Sequence, residues 1–168
     1  FVVGEASLVA TVSITTAAQA WAAGPELGFR WELLLVEGVY SHAGAQRSHA
    51  NLPALTFQGW YGAAAYTIFG KPRMYNIKEG AFGAPGVGAD QEFNPALNHW
   101  GALEAVAQYS GLDLNSNINA ATAGITSQNG VSYVRGGMQN VYTGGLNWYP
   151  NRHFRFMVDY SHFVTSRS

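Results

Sequence analysis

The run VYTGGLNWYPNRHFRFMVDYSHF, residues 141–163, carries the clearest structural signal in the chain. On its first limb Tyr142, Gly144, Leu146 and Trp148 alternate with Val141, Thr143, Gly145 and Asn147. On its second limb Phe154, Phe156, Val158, Tyr160 and His162 alternate with His153, Arg155, Met157, Asp159, Ser161 and Phe163. Successive side chains in a strand point to opposite faces, so a period of two predicts strands with one apolar and one polar face. Tyr149-Pro150-Asn151-Arg152 joins the limbs, and Pro and Asn there predict a tight turn. The product is a β-hairpin with about ten residues per strand, the length that crosses a bilayer at a tilt.

The same period recurs upstream. In Ala6–Thr15 the even positions are apolar and the odd ones mostly hydroxyl-bearing. Thr56–Phe69 sets Trp60, Gly62, Ala64, Tyr66 and Ile68 against Tyr61, Ala63, Ala65 and Thr67. In His99–Ser110, Leu103, Ala105, Ala107 and Tyr109 oppose Glu104, Val106, Gln108 and Ser110; a bulge at Gly111 is expected to shift the phase for Leu112 and Leu114. Arg30–Ser41 is strand-like, but Glu32 and Glu37 have opposite parity and leave its register open. Gly44–Asn51 is the weakest strand, because Arg47 and His49 fall on the face that should be apolar.

These segments predict seven strands, roughly 5–15, 30–41, 44–52, 55–69, 99–115, 136–149 and 152–165. His42-Ala43 and Pro150-Asn151 are expected as tight turns, and 17–29 and 116–135 as long loops. Short turns at one end and long loops at the other are the plan of outer-membrane barrels. Gly70–Asn98 breaks the plan. It falls at the short-turn end, is rich in Pro and Gly, and either folds into the lumen or lies under the barrel. An odd strand number, with a last strand running towards the long loops, predicts a piece of a larger barrel. Residues 1–168 are then one domain lacking N-terminal strands and the final strand.

Composition narrows the class further. Of 168 residues only 11% are charged, 48% are hydrophobic and 14% aromatic, with 20 Gly, no Cys and a net charge of −1. A disordered chain needs high charge and few aromatics. The absence of Cys removes disulfide scaffolds, thiolate chemistry and Cys-based zinc sites. A nucleic-acid binder would carry a basic stripe. The longest apolar run, Leu33-Leu34-Leu35-Val36, is far short of the ~20 residues of a spanning helix. No basic n-region with a cleavable apolar segment opens the chain, so no signal peptide is expected in it. A chain of this kind that spans a membrane does so as a closed antiparallel transmembrane β-barrel. Trp100, Trp148, Tyr149, Tyr40, Phe69 and Phe154, near strand ends, would then form the interfacial aromatic girdle.

Several motifs together bear a family resemblance. Phe57-Gln58-Gly59-Trp60-Tyr61, then Gly70, Lys71, Arg73 and Tyr75, then Gly80-Ala81-Phe82-Gly83 come first. Trp100-Gly101-Ala102-Leu103-Glu104 and Tyr109-Ser110-Gly111-Leu112-Asp113-Leu114-Asn115 follow, and Gly145-Leu146-Asn147-Trp148-Tyr149-Pro150-Asn151 closes the set. In this order and spacing they resemble the C-terminal part of the phosphate-selective porin O and P family. Val39-Tyr40 before a short turn fits as well. The resemblance implies a bacterial outer-membrane barrel of roughly sixteen strands. It also implies a homotrimer in contact with outer-membrane lipid, conducting small anions such as phosphate. The chain departs from the family at Ala43 and Ala45, where a bulky apolar residue is common. The family's arginine-rich constriction lies mostly upstream of the matched part, so phosphate preference does not follow from the resemblance.

In a pore the polar strand face is the lumen face. Arg155, Asp159, Asn147, Glu104 and Gln108 are its candidate lining, with Lys71, Arg73 and Lys78 a candidate basic collar in the long segment. Charges in a narrow, partly desolvated channel set ion preference. The competing reading makes the collar solvated turn charges and pairs Arg155 with Asp159 or Glu104. No catalytic residues, metal ligands or cofactor are expected. Asp159 and Ser161 share a face that His162 does not, and the five His show no ligand spacing. Gly83-Ala84-Pro85-Gly86-Val87-Gly88 lacks the following Lys-Ser/Thr of a phosphate loop and is expected to be a flexible loop. Passive anion diffusion is thus the expected function. A structural barrel docked to other envelope components is the alternative, and a soluble carbohydrate-binding β-sandwich the third reading.

Overall fold

The computed structural model describes residues 17–47, 54–116, 127–128, 131–132 and 134–166. It is almost entirely antiparallel β-sheet. The strands are β1 (Ala17–Ala23), β2 (Glu26–Trp31), β3 (Leu34–Arg47), β4 (Leu55–Phe69), β5 (Tyr75–Asn76), β6 (Ala81–Phe82), β7 (Ala102–Ser116), β8 (Ser127–Gln128), β9 (Val131–Ser132), β10 (Val134–Tyr149) and β11 (Phe156–Ser166). The main sheet runs β1-β3-β4-β7-β10-β11, with β2 also on β3. It is open among the described residues, and each neighbour in the order is antiparallel. The expected strand at 5–15 and His49 lie outside the described residues.

Alternation sorts the sheet into two faces. Directly paired residues share a face, so Glu37, Ala63, Gln108, Thr143 and Ser161 form one row across five strands. Val36, Ala64, Ala107, Gly144 and Tyr160 form a row on the other side. The first face is polar and the second apolar. Large apolar side chains stand exposed on the second, among them Phe29, Trp31, Tyr66, Leu146, Phe156 and Val158. An apolar face of this extent marks a surface that meets lipid or another protein, and one polar and one apolar face is the plan of a barrel wall.

Three sequence expectations are corrected. His42-Ala43 is not a turn: β3 runs through it, with Ala43 opposite Phe57, Gly44 opposite Thr56 and Ala45 opposite Leu55. The hairpin turn is Glu32-Leu33, where Glu32 takes φ 50°. The predicted loop 17–29 is accordingly extended chain. β1 and β2 pair with β3 in one register, interrupted at Gly24-Pro25 because Pro donates no N–H. Gly111 carries no bulge: β4 and β7 pair in unbroken register from Gln58–Asp113 to Thr67–Glu104. Leu112 therefore shares the face of Glu104. The glycine serves its partner across the ladder, since a Cβ there would stand 2.3 Å from the Trp60 indole.

The last hairpin turns later than predicted. β11 begins at Phe156, and Pro150–Arg155 forms the connection. Asn151 Oδ1 holds it by accepting from the backbone N–H groups of His153 (2.8 Å) and Phe154 (3.0 Å), the self-bonding that suits Asn to turns. An aromatic group gathers at this end: Phe93 packs on Trp100 (5.5 Å) and Trp148 (5.3 Å), and Trp148 stacks on Phe156 (5.6 Å). Tyr149 does not join it. It shares the face of Asn147 and is buried.

Candidate functional site

The long segment between β4 and β7 folds back over the polar face. It leaves the sheet at Gly70 (φ 105°) and returns at Gly101 (φ 76°). A Cβ at Gly70 would overlap that of Ala102, and one at Gly101 would overlap the Tyr149 carbonyl oxygen. Only glycine permits this conformation and this contact together. In between, the chain forms its own hairpin. Lys71 and Gly86 exchange backbone hydrogen bonds of 2.9 and 3.0 Å, Gly83 N–H donates to Met74 O at 2.9 Å, and β5 pairs with β6. Gly86, expected in a flexible loop, is thus held in a ladder. The tip reaches β2, where the Phe82 ring stands 3.1 Å from the position of a Cβ on Gly28. The hairpin therefore crosses the polar face from β7 to β2.

One side chain fastens it there. Arg73 donates from Nε to Glu104 Oε1 at 2.6 Å and from Nη2 to Glu104 Oε2 at 2.8 Å. Asn147 Nδ2 donates to the same Oε2 at 3.0 Å, so the carboxylate accepts three hydrogen bonds. Glu104 is fully buried and the Arg73 side chain is only 22% exposed. A buried carboxylate is costly unless it is paired and hydrogen-bonded, and a bidentate Arg with an amide meets both needs. The bond to Glu104 raises the Arg73 pKa above its ordinary value, against the opposing effect of burial.

The predicted site residues separate into groups. Glu104, Asn147 and Arg73 come together in this network. Gln108 and Asp159 lie on the same face and, with Arg73 and Asn147, line a 290 Å³ cavity under the hairpin. Lys71 lies at the hairpin's base in the Gly86 bridge, and Lys78 near its exposed tip. The three cations do not form one collar: base, stem and tip are different places, and Arg73 is already paired. Arg155 lies in the turn, ahead of β11, and the partner of Glu104 is Arg73.

The sequence reading missed the other wall of the hairpin. Glu26, Glu37, Tyr61, Tyr75 and Phe82 line a 700 Å³ cavity on its far side, again with Arg73. Its signal was the parity clash of Glu32 with Glu37, which a turn at Glu32-Leu33 explains. Of the residues weighed for catalysis, Asp159 and Ser161 share the polar face, Ser161 bonds Thr143 at 2.9 Å, and His162 falls on the opposite face.

A one-sided apolar sheet, short turns at one end and a turn segment pinned across the polar face form the plan of a porin wall. No curated protein matches the chain. Among protein families, phosphate-selective porin O and P matches residues 7–168. That match spans nearly the whole sequence and includes every described strand, and the chain belongs to the phosphate-selective porin O and P family, whose members are barrels of the outer membrane.

Proposed function

We propose that this chain builds part of the wall of a water-filled channel through which small anions diffuse passively, with the hairpin 71–86 narrowing the lumen at its short-turn end. The observation that carries the reading is the Arg73–Glu104–Asn147 network, which holds a long turn segment against the polar face. A segment so held takes up cross-section that would otherwise conduct. Selection in such a channel is electrostatic, set by fixed charges at close range in a partly desolvated space. Lys71 and Arg155 supply positive charge beside the hairpin's base, and the family's phosphate selectivity supports an anionic solute. Glu26, Glu37 and Asp159 oppose it, so the charge balance here is mixed. The apolar face contacts outer-membrane lipid in this reading, and assembly as a homotrimer is proposed on the resemblance alone.

The test is the reversal potential of the full-length protein in a planar bilayer under a potassium chloride gradient. The expected sign is that of anion preference, with current reduced by added phosphate. Cation preference would overturn the anion reading. Silence from folded protein would favour the structural, docked-barrel alternative.

A further inference from the structure

The 700 Å³ cavity on the far side of the hairpin has a floor and a roof from different parts of the chain. The sheet is the floor. Glu26, Val39 and Tyr61 share one tier of its polar face, and Gly28, Glu37 and Ala63 share the next. The roof is the hairpin tip, with Tyr75, Gly80 and Phe82. Tyr75 and Phe82 meet edge to face, their ring centroids 5.1 Å apart. A Cβ on Gly28 would stand 3.1 Å from the Phe82 ring and 4.0 Å from Glu37 Cγ, so ring and carboxylate stem converge on one point. At Gly80 a Cβ would meet nothing within 4 Å, which leaves space beside the turn of the hairpin. The volume is in the range of sites that take small molecules.

The charge in this cavity is not balanced from within. Among the described residues neither Glu26 nor Glu37 has an ion-pair partner. Arg73 also lines the cavity and attracts Glu37. Its Nε and Nη2, however, are both given to Glu104, and its Nη1 donates to Gly83 O at 3.5 Å. Two carboxylates therefore face a space whose lining cation already serves a third. Arg30 shares their face but stands opposite Leu35 and is not part of the described lining.

The rings decide what kind of cation fits. Two carboxylates alone fall short of the oxygen set a divalent ion needs, and no group of three metal-ligating side chains forms among the described residues. Tyr61, Tyr75 and Phe82 would contribute nothing to a hydrated metal ion. Aromatic rings attract an organic cation held within about 6 Å of their centroids, and substituted ammonium groups are the usual guests of such sites. An alkylammonium ion offers both things the lining asks for: a positive charge for the carboxylates and an alkyl surface for the rings. The two features are independent, because the carboxylates come from the sheet and two of the three rings from the hairpin.

We propose that this cavity is a binding site for an alkylammonium ion, held by the carboxylates of Glu26 and Glu37 and by the rings of Tyr61, Tyr75 and Phe82. It takes a ligand of opposite charge to the proposed solute and does not depend on conduction.

The experiment uses full-length protein in a maltoside detergent and two probes of the same shape, choline and its uncharged carbon analogue 3,3-dimethylbutan-1-ol. Saturation-transfer NMR reads the binding of each. Wild type is expected to bind choline, and to bind the neutral analogue about tenfold more weakly. Glu26→Gln/Glu37→Gln should lose choline affinity about tenfold and Phe82→Leu about threefold, with heat-shifted gel migration unchanged. Should the double variant fail to fold, Glu26→Gln alone carries the test, since Glu26 is exposed, and about threefold loss is expected of it. Equal binding of choline and its neutral analogue, no binding of choline by wild type, or undiminished binding by the folded variants overturns the proposal. A silent channel that still binds choline would break the proposed function and leave this site standing.

Discussion

On the apolar face Trp60 lies over Gly111 and Tyr109 stacks on Tyr142, yet no residue there other than glycine is buried among the described strands. On the polar face Leu35, Thr67, Glu104, Asn147 and Tyr149 are all buried. A soluble sheet buries its apolar face in a core and leaves the polar one to water. In the proposed channel the order is reversed: lipid would take the place of the core outside, and the protein's own hairpin covers the polar side. Apolar side chains need only a matching solvent, so their face can be smooth and loosely interlocked. Buried charge demands a named partner at hydrogen-bond distance, so the polar face is held by particular contacts.

The largest expected effect follows from removing such a contact. Arg73→Ala leaves Glu104 buried without its cation, and loss of about 3–5 kcal/mol is expected from breaking a buried pair. The readouts are a lower temperature for the heat-shifted gel transition and a larger, noisier single-channel conductance as the hairpin comes loose. Replacing both partners, Arg73→Met with Glu104→Leu, should recover much of the stability, because no charge is then stranded. If the single and double variants match wild type in both readouts, the network does not hold the hairpin.

A smaller pair of substitutions tests the two faces against each other. Ala107 and Ala63 lie on neighbouring strands but on opposite faces. Ala107→Arg puts a cation into lipid and is expected to cost about 2–4 kcal/mol near the bilayer midplane. Ala63→Arg faces the polar side and is expected to change stability by less than about 0.5 kcal/mol while moving the reversal potential towards anions. Refolding yield into vesicles and bilayer recordings check the two halves. Equal costs would mean the faces are assigned wrongly.

Smallest is Tyr142→Ala, which removes the stack with Tyr109 at 5.0 Å. About 0.5–1.5 kcal/mol beyond lost area is typical of such a pair. A chemical unfolding curve in detergent would register it, with no change in conductance.

The faces of the sheet were legible because alternation is local. Every face assignment made for β4, β7, β10 and β11 up to Gly111 agrees with the register. The turn at Glu32-Leu33 was hidden because it contains no Gly, Pro or Asn and obliges Glu32 to take a positive φ. The only trace it left was a parity clash. His42-Ala43 was mistaken for a turn because small residues there look like a break. Gly44 is small because Trp21 lies across it, where a Cβ would stand 2.6 Å from the ring. The site was half legible: Arg73, Glu104 and Asn147 were each named, but their meeting joins three segments, and no local period records that. Arg155 was placed on the wrong element because Asn151 extends the turn past it.

The hairpin's place across the polar face is the central claim, and it is directly measurable because residues 1–168 contain no cysteine to compete with an introduced pair. Gly28→Cys and Phe82→Cys, introduced together in the full-length protein, should be joined in intact outer membranes by a short thiol-specific cross-linker. Phe82 stands against Gly28, so near-complete reaction is expected, with cross-linked channels conducting as wild type does. Absence of the cross-link in folded protein, with each cysteine still reactive alone, would contradict the account.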